Sequence, residues 1–411
     1  MRCVAAFLLA SIALFCELTV DVKAQTVDPL DMLFVTDDDA RNWPGCDRIV
    51  VVDAANGRHV AEGDYRPSPG RLSSTSDGRI VVSTNNNNAA FVTALLGTSD
   101  FRTRWTSFII SRPVLVGGPV SFSPNDEMLL VARPTGIGRY WVRQFDRTTI
   151  GREEGRFELS SNVSSILFTS DSATAVLIRV DGEVDFIDPV TMLAKLSSLT
   201  YSPIPRPDES KLRKTFAAIS PDDRYIVINS GSSRISVLDL TTHTSFSVDL
   251  EGVTATYGVG FNHRSSSNLL AVNGRSAVAV YDFDPNTQVR LLARIGIPPQ
   301  DPDDLDATND YMDRPSSLTW TGRGDGVVAA IGGQQEFRIL DFREEDVSSS
   351  LTRRLDFDGC KVPMDSWQTA LDVVSLNDRY HPPPPSSTTT PSQPKLFATA
   401  DQLGFTSSTP W

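Results

Sequence analysis

One phrase recurs along this chain: an apolar strand, a turn of the form Ser/Thr-x-Asp/Asn, and a second apolar strand. Its clearest copy is Phe216-Ala-Ala-Ile-Ser-Pro-Asp-Asp-Arg-Tyr-Ile-Val-Ile-Asn229. Leu72 to Val82, Val120 to Val131 and Ile166 to Ile178 repeat it closely, and Val259 to Arg264 and Leu318 to Asp325 more loosely. Anchoring on Ser220 puts Thr75, Ser123, Thr169, Asn262, Thr321 and Ser375 at the same place in each copy. The successive gaps are 48 and 46, then 51 to Ser220, then 42, 59 and 54. A unit of this period cannot bury its own apolar face, so it must stack against its neighbours.

Most copies are followed by a second phrase, a strand ending in Asp and then a turn and another strand. Val184 to Asp188, Ile235 to Asp239, Val278 to Asp282 and Phe337 to Asp341 carry it clearly, and Val142 to Asp146 loosely. Four short strands in about 50 residues is the pattern of a propeller blade. At the C-terminus Leu371 to Tyr380 supplies only the first half of a unit, and a proline run follows. The missing half is found at the N-terminus, in Met32 to Thr36, Arg48 to Asp53 and Arg58 to Glu62. The expected fold is therefore all-β, a seven-bladed β-propeller over residues 25–380, closed by strands from both termini so that no sheet edge is left open at the seam.

The Ser-Pro-Asp-Asp-Arg turn, Ile-Val-Ile-Asn strand end and Val-Leu-Asp strand of Phe216 to Leu250 resemble a repeat of the YVTN and lactonase-like seven-bladed propellers, and also WD40-type repeats. The Gly-His and Trp-Asp pairs of true WD40 repeats are missing, which favours the YVTN-like group. The resemblance spans residues 31–378 and implies a fold. It carries no catalytic motif onto particular residues here.

Residues 1–24 read as a cleaved signal peptide: Met1-Arg2, an apolar run from Val4 to Phe15, and a small-residue cleavage pattern at Val22-Lys23-Ala24. Glu17 and Asp21 interrupt the run short of a membrane span, and no later segment is long and apolar enough for one. The expected location is secreted, extracellular. Thirty-eight Lys plus Arg against fifty-one Asp plus Glu give a net charge of -13, which repels a phosphate polyanion and excludes nucleic acid as a partner. Residues 381–411 open with Pro382 to Pro385 and continue Ser/Thr/Pro-rich, a composition of solvated tails, with or without O-linked sugars.

In a propeller the connections from second to third strand and from fourth to the next first strand share one face. Second strands end there in Asn85, Arg133, Arg179, Asn229 and Asn273, with Gln334 in the sixth unit. These are the candidate binding residues, around the mouth of a central channel, together with Trp43 as an aromatic anchor. Hydration of the channel is the equally available reading. Asn162, in Asn-Val-Ser, is a glycosylation sequon expected on the same face. His59, His243 and His263 fall in turns of the other face and in separate units, so the sequence assigns them no metal and no catalytic role. Strand-end aspartates Asp53, Asp188, Asp239, Asp282 and Asp341, and Asp77, Asp171 and Asp222 in the turns, read as structural, each bonding nearby backbone N–H groups. No cofactor is assigned. Ca2+ is the one candidate, from the carboxylates between Pro298 and Pro315, whose spacing lacks the Gly and terminal Glu of a calcium loop.

Two function classes follow. The leading one is a binding or scaffold protein that presents its loop face to a protein or glycan. The alternative is an enzyme, a lactonase-like or metal-assisted hydrolase acting at the channel mouth. Once Cys3 and Cys16 leave with the signal, Cys46 and Cys360 remain, and an oxidising compartment makes them a disulfide. It would clasp the two ends of the ring, a constraint of at most about 5 kcal/mol in the chain-entropy estimate. Thiol titration of the mature chain under denaturing, non-reducing conditions should find none free; two titratable thiols would refute the clasp.

Overall fold

The computed structural model describes residues 29–37, 48–55, 59–64, 69–76, 78, 80–85, 90–95, 105–111, 118–142, 153–200, 217–229, 231–254, 256–265, 268–274, 277–285, 288–296, 315–331, 336–341, 351–354 and 372–375. Residues 1–24, expected to be a signal peptide, and the tail 381–411 lie outside them. Among these residues the chain is all-β, apart from one 3-10 turn at Pro29–Asp31, and no helix is long and apolar enough to cross a membrane.

The strands form four-stranded antiparallel sheets, here numbered I to VII. Sheet I joins Asp372–Ser375 to Met32–Asp37, Arg48–Asp53 and His59–Asp64. Sheet II holds Pro69–Ser74, Ile80–Asn85, Ala90–Leu95 and Trp105–Ser111; sheet III holds Val120–Phe122, Met128–Arg133, Gly136–Trp141 and Gly155–Glu158. Sheet IV runs Val163–Phe168, Ala175–Arg179, Glu183–Asp188, Leu193–Thr200, and sheet V Ala217–Ile219, Tyr225–Asn229, Arg234–Asp239, Thr244–Asp249. Sheet VI is Thr256–Phe261, Leu269–Gly274, Ala277–Asp284 and Gln288–Gly296; sheet VII is Pro315–Trp320, Gly326–Ile331, Glu336–Asp341 and Leu351–Arg354.

Sheet I is built from both ends of the chain, as the sequence pattern requires. Leu33 pairs with Ser375, Phe34 with Val374, Val35 with Val373 and Thr36 with Asp372. Each sheet's first strand lies against the first strand of the next, I with II through VI with VII, and that of VII lies against that of I.

Burial explains the sequence texture of the strands. Second strands such as Ala175–Arg179 and Tyr225–Asn229 are buried at every residue, because both faces of the sheet are covered by neighbouring sheets. Such strands read as continuous apolar runs rather than alternating ones. The fourth strand Thr244–Asp249 is exposed at all but one position. The core accordingly lies between the sheets: Ile178, Phe186, Ile219 and Ile226 join IV to V, while Val237, Phe261, Val272 and Phe283 join V to VI. Each fully buried aliphatic side chain contributes about 1.5–3 kcal/mol of transfer free energy. Phe283 adds edge-on contacts to Phe261 at 5.3 Å and Tyr225 at 5.9 Å between ring centroids.

The recurring Ser/Thr anchor closes the turn between first and second strands. The backbone N–H groups of Thr75, Ser123, Thr169, Ser220, Asn262 and Thr321 donate to the carbonyls of Ile80, Met128, Thr174, Tyr225, Leu269 and Gly326. The anchor hydroxyl meets the turn carboxylate, Thr169 with Asp171 at 2.6 Å and Ser220 with Asp222 at 2.5 Å. Three residues beyond the anchor the backbone turns left-handed, at Asp126 (φ 56), Ser172 (φ 60) and Asp223 (φ 56), with glycine in the same place at Gly78 and Gly324.

In four of these turns the left-handed residue latches the turn to the previous sheet. Asp126 accepts from the Ser76 N–H and hydroxyl, and Ser172 from the Asn125 N–H. Asp223 accepts from the Ser170 N–H at 2.8 Å and its hydroxyl at 2.5 Å. Between sheets VI and VII the side chain is replaced by a carbonyl, that of Gly324, which accepts from Asn262 Nδ2 at 2.7 Å. At the seam Arg323 binds both carboxylate oxygens of Asp31, at 2.6 and 2.9 Å.

Replacing Asp223 separates the two contributions. Asp223→Ala removes the latch and leaves a Cβ in left-handed backbone, for a loss of about 2 kcal/mol in urea unfolding. Asp223→Gly removes only the latch and should lose less; a larger loss for Gly than for Ala would refute the account.

Candidate functional site

Of the five expected binding residues at second-strand ends, the four whose side chains are described do not form one converging ring. Adjacent residues of a strand face opposite sides of the sheet, and these four divide on that parity. Asn229 and Asn273 are almost fully buried. Asn229 follows Val227, in the cluster shared with sheet VI, and Asn273 Nδ2 reaches the Ser317 carbonyl of sheet VII at 3.5 Å. Thr84 makes the equivalent contact from sheet II, donating to the Gly118 carbonyl at 2.9 Å ahead of sheet III. Arg133 and Arg179 stand one position further along and face the preceding sheet. Asn85 ends its strand in a position like theirs, and its side chain lies outside the described residues, as do Gln334, Trp43, Cys46, Cys360 and the carboxylates of the Pro298 to Pro315 segment.

Arg179 is the most engaged of them. Its guanidinium binds Asp181 at 2.5 Å, Glu183 at 2.5 Å and Asp185 at 3.4 Å. Ser161 Oγ accepts from Nε at 3.0 Å, and Ser160 Oγ from Nη2 at 2.8 Å. One buried cation thus serves three carboxylates and ties the second and third strands of sheet IV to the loop that leaves sheet III. Burial pushes the Asp185 carboxyl up, and the pull of Arg179 only partly offsets it. Burial also opposes ionisation of Asp181, but hydrogen bonds from Arg179, Ser161 and the Glu183 N–H outweigh it and hold that carboxyl below its ordinary range.

Arg133 pairs with Glu153, whose Oε2 also accepts from the Tyr140 hydroxyl at 3.1 Å. Gly138 makes room for this carboxylate, since a Cβ there would stand 3.0 Å from Glu153 Oε2. Asn162 is exposed and its carbonyl accepts from the Val180 N–H at 2.9 Å, which puts the sequon beside Arg179.

Arg71 escaped the sequence reading. It lies on the first strand of sheet II, where the register slips between Pro69 and Leu72, and its Nη1 donates to the Ser164 carbonyl at 3.2 Å. Ser164 sits at a like slip in the first strand of sheet IV, between Val163 and Ser165, and further slips occur at Thr256/Gly258 and Pro315/Ser317. Arg71 therefore reaches past sheet III to bind the inner edge of sheet IV. Recurrent bulges in first strands were the missed signal, and bulges cannot be read from an apolar pattern.

Of the histidines, His243 is in a left-handed turn after the third strand of sheet V, and His59 opens the fourth strand of sheet I. His263 is buried, not solvated as a turn residue would suggest. Among the described residues no three His, Cys, Asp or Glu side chains are grouped to hold a metal ion. Three of the strand-end aspartates bond backbone as expected, Asp53 accepting from the Ala55 N–H, Asp188 from the Val190 and Thr191 N–H groups, and Asp239 from those of Thr241 and Thr242; Asp282 instead pairs with Arg290 at 3.1 Å, and the Asp341 side chain lies outside the described residues.

No protein-family profile and no curated protein sequence matches the chain. Solved structures do. A Kuenenia stuttgartiensis hydrazine synthase chain superposes with a TM-score of 0.57 at 16% identity, over 77% of this chain and 94% of that one. The structure of U3-55K gives 0.54 at 12% identity, over 75% of this chain and 87% of that one. Both are β-propeller proteins. The chain has a β-propeller fold. At such identities the likeness concerns the fold alone.

Within this propeller, Arg179→Ala would leave buried carboxylates without their cation and should cost about 2 kcal/mol at pH 7, given that two of the three acids are partly exposed. The pH sign follows from the carboxyls: losing the guanidinium removes a pull that favours the ionised form of both Asp181 and Asp185, and Asp185, already raised by burial, then binds its proton more tightly still in the folded chain. Stability is then lost as pH rises above the unfolded value near 4. The variant's deficit in melting temperature should be larger at pH 7 than at pH 4; the reverse order would refute the electrostatic role.

Proposed function

We propose that this chain is an exported binding scaffold, a seven-bladed propeller over residues 25–380 closed by strands from both termini, which presents its loop face to an extracellular protein or glycan. The contact of first strands from sheet I round to sheet VII and back, and the pairing of Met32–Asp37 with Asp372–Ser375, support the closure. The leader pattern of residues 1–24 supports export.

One observation carries the binding reading. Across sheets III and IV the loops of this face are tied to one another while their tips stay exposed. The Leu159 N–H donates to the Thr135 carbonyl at 3.0 Å, and Arg156 Nη2 to Thr135 Oγ1 at 2.8 Å. Arg179 holds Ser160 and Ser161, and Val180 holds Asn162. Pro134, Thr135, Ser160, Asn162 and Asp181 are exposed. A polar strip fixed before contact loses little entropy on binding, which favours recognition. The charged groups beneath it are engaged with each other, an arrangement that suits a rigid support better than proton transfer.

The purified chain from residue 25 onward should bind a component of a glycan array or extracellular-protein array saturably. Pro134→Trp should weaken that binding about tenfold with the melting temperature unchanged. Turnover on a panel of lactones, with array binding absent or untouched by Pro134→Trp, would overturn the scaffold reading in favour of a hydrolase.

A further inference from the structure

The outer strand of sheet IV, Leu193–Thr200, contains leucines at 193, 196 and 199, a spacing of three that would alternate faces in a regular strand. Two irregularities in its pairing with Glu183–Asp188 change that. Leu193 stands opposite Asp188, Leu196 opposite Phe186 and Leu199 opposite Val184, so all three share one side of the sheet. Phe186 and Val184 belong to the cluster that joins sheets IV and V, and Leu199 packs against it. The ladder therefore faces sheet V. Leu199 is partly covered, whereas Leu196 is 49% exposed and Leu193 66% exposed, with Val190 at 52% in the turn just before.

The opposing wall explains the exposure. On sheet V, Leu238 faces the same cluster, so Ser236 and the residues opposite these two, Ser245 and Ser247, face sheet IV as well. Serines are too short to cover leucines across the gap, and Ser245 and Ser247 are themselves exposed. The outer strands thus bound a groove, apolar on one wall and hydroxyl-lined on the other. Bulges also spoil the free strand edge for pairing with another strand, so an occupant must seat on the face. The ladder repeats every two strand positions of Glu183–Asp188, which matches alternate side chains of an extended chain.

Charge selects the partner. The protein carries a net -13, and Asp188 sits beside Leu193 at one end of the ladder. Hydrogen bonds from the Thr191 and Val190 backbone N–H groups, despite some opposing burial, hold its carboxyl below the ordinary range. Among the described residues nearby, Arg234 is neutralised by Asp249 at 2.7 Å, and Lys195, which bonds the Ala173 carbonyl at 2.9 Å, also draws on Asp188 but less than its backbone N–H partners do. We propose that the groove between the outer strands of sheets IV and V docks an extended segment of a partner protein, with alternate apolar side chains against Leu193 and Leu196 and basic residues flanking them. This rim site is separate from the loop face and does not depend on its reading.

The test uses the full mature chain and a dye-labelled peptide, Lys-Leu-Thr-Leu-Thr-Leu-Lys, with Lys-Ser-Thr-Ser-Thr-Ser-Lys as control. Fluorescence anisotropy should show saturable binding of the leucine peptide, at least tenfold tighter than the control and weakened by added salt. Leu193→Ser and Leu196→Ser should each weaken it by about tenfold, with melting temperatures unchanged because both side chains are exposed; Pro134→Trp should have no effect. Equal binding of both peptides, no binding, or indifference to the two leucine changes would overturn the proposal. So would sedimentation showing a wild-type dimer that either leucine change dissociates, since the occupant would then be a second copy.

Discussion

Everything in this molecule depends on the stacking of sheets that are apolar on both faces. A sheet such as Val163–Phe168 with Ala175–Arg179 leaves no residue of its second strand to water, so it is stable only between two neighbours. That requirement repeats from unit to unit and leaves the first unit and the last each needing a partner. The pairing of Met32–Asp37 with Asp372–Ser375 meets the need by building one sheet from the two ends, and the Asp31 to Arg323 pair fastens that sheet to its neighbour.

The polar chemistry is organised by the same stacking. Turn side chains latch one sheet to the previous one on one side of the molecule, through Asp126, Ser172 and Asp223. On the opposite side Thr84 and Asn273 reach forward to the next sheet, and Arg179 reaches back to the loop of the preceding one. Each of these groups bonds across a boundary between sheets, where a slip of one residue would break the bond. They therefore specify the angle between sheets more than they add to net stability. The loop strip over sheets III and IV inherits its rigidity from these bonds, and the rim groove between sheets IV and V exists because the apolar stacking ends before the outer strands do.

The sequence by itself determined the repeat, its anchors and the division of one sheet between the two ends. Each anchor from Thr75 to Thr321 makes the same kind of N–H bond, to a carbonyl five residues on in five of the turns and seven on at Asn262, because a short hydroxyl or amide side chain suits a turn of either length. It also marked Asp171, Asp188, Asp222 and Asp239 as turn residues, since a carboxylate two residues from a backbone N–H has one ordinary use. What only the tertiary structure decided is which way the side chains point. Asn229 and Arg179 look alike as strand ends, yet one position of offset sends them to opposite faces. Arg71 and the leucines at 193, 196 and 199 are aimed by bulges, which insert a residue into the pairing without altering the apolar pattern that a sequence displays.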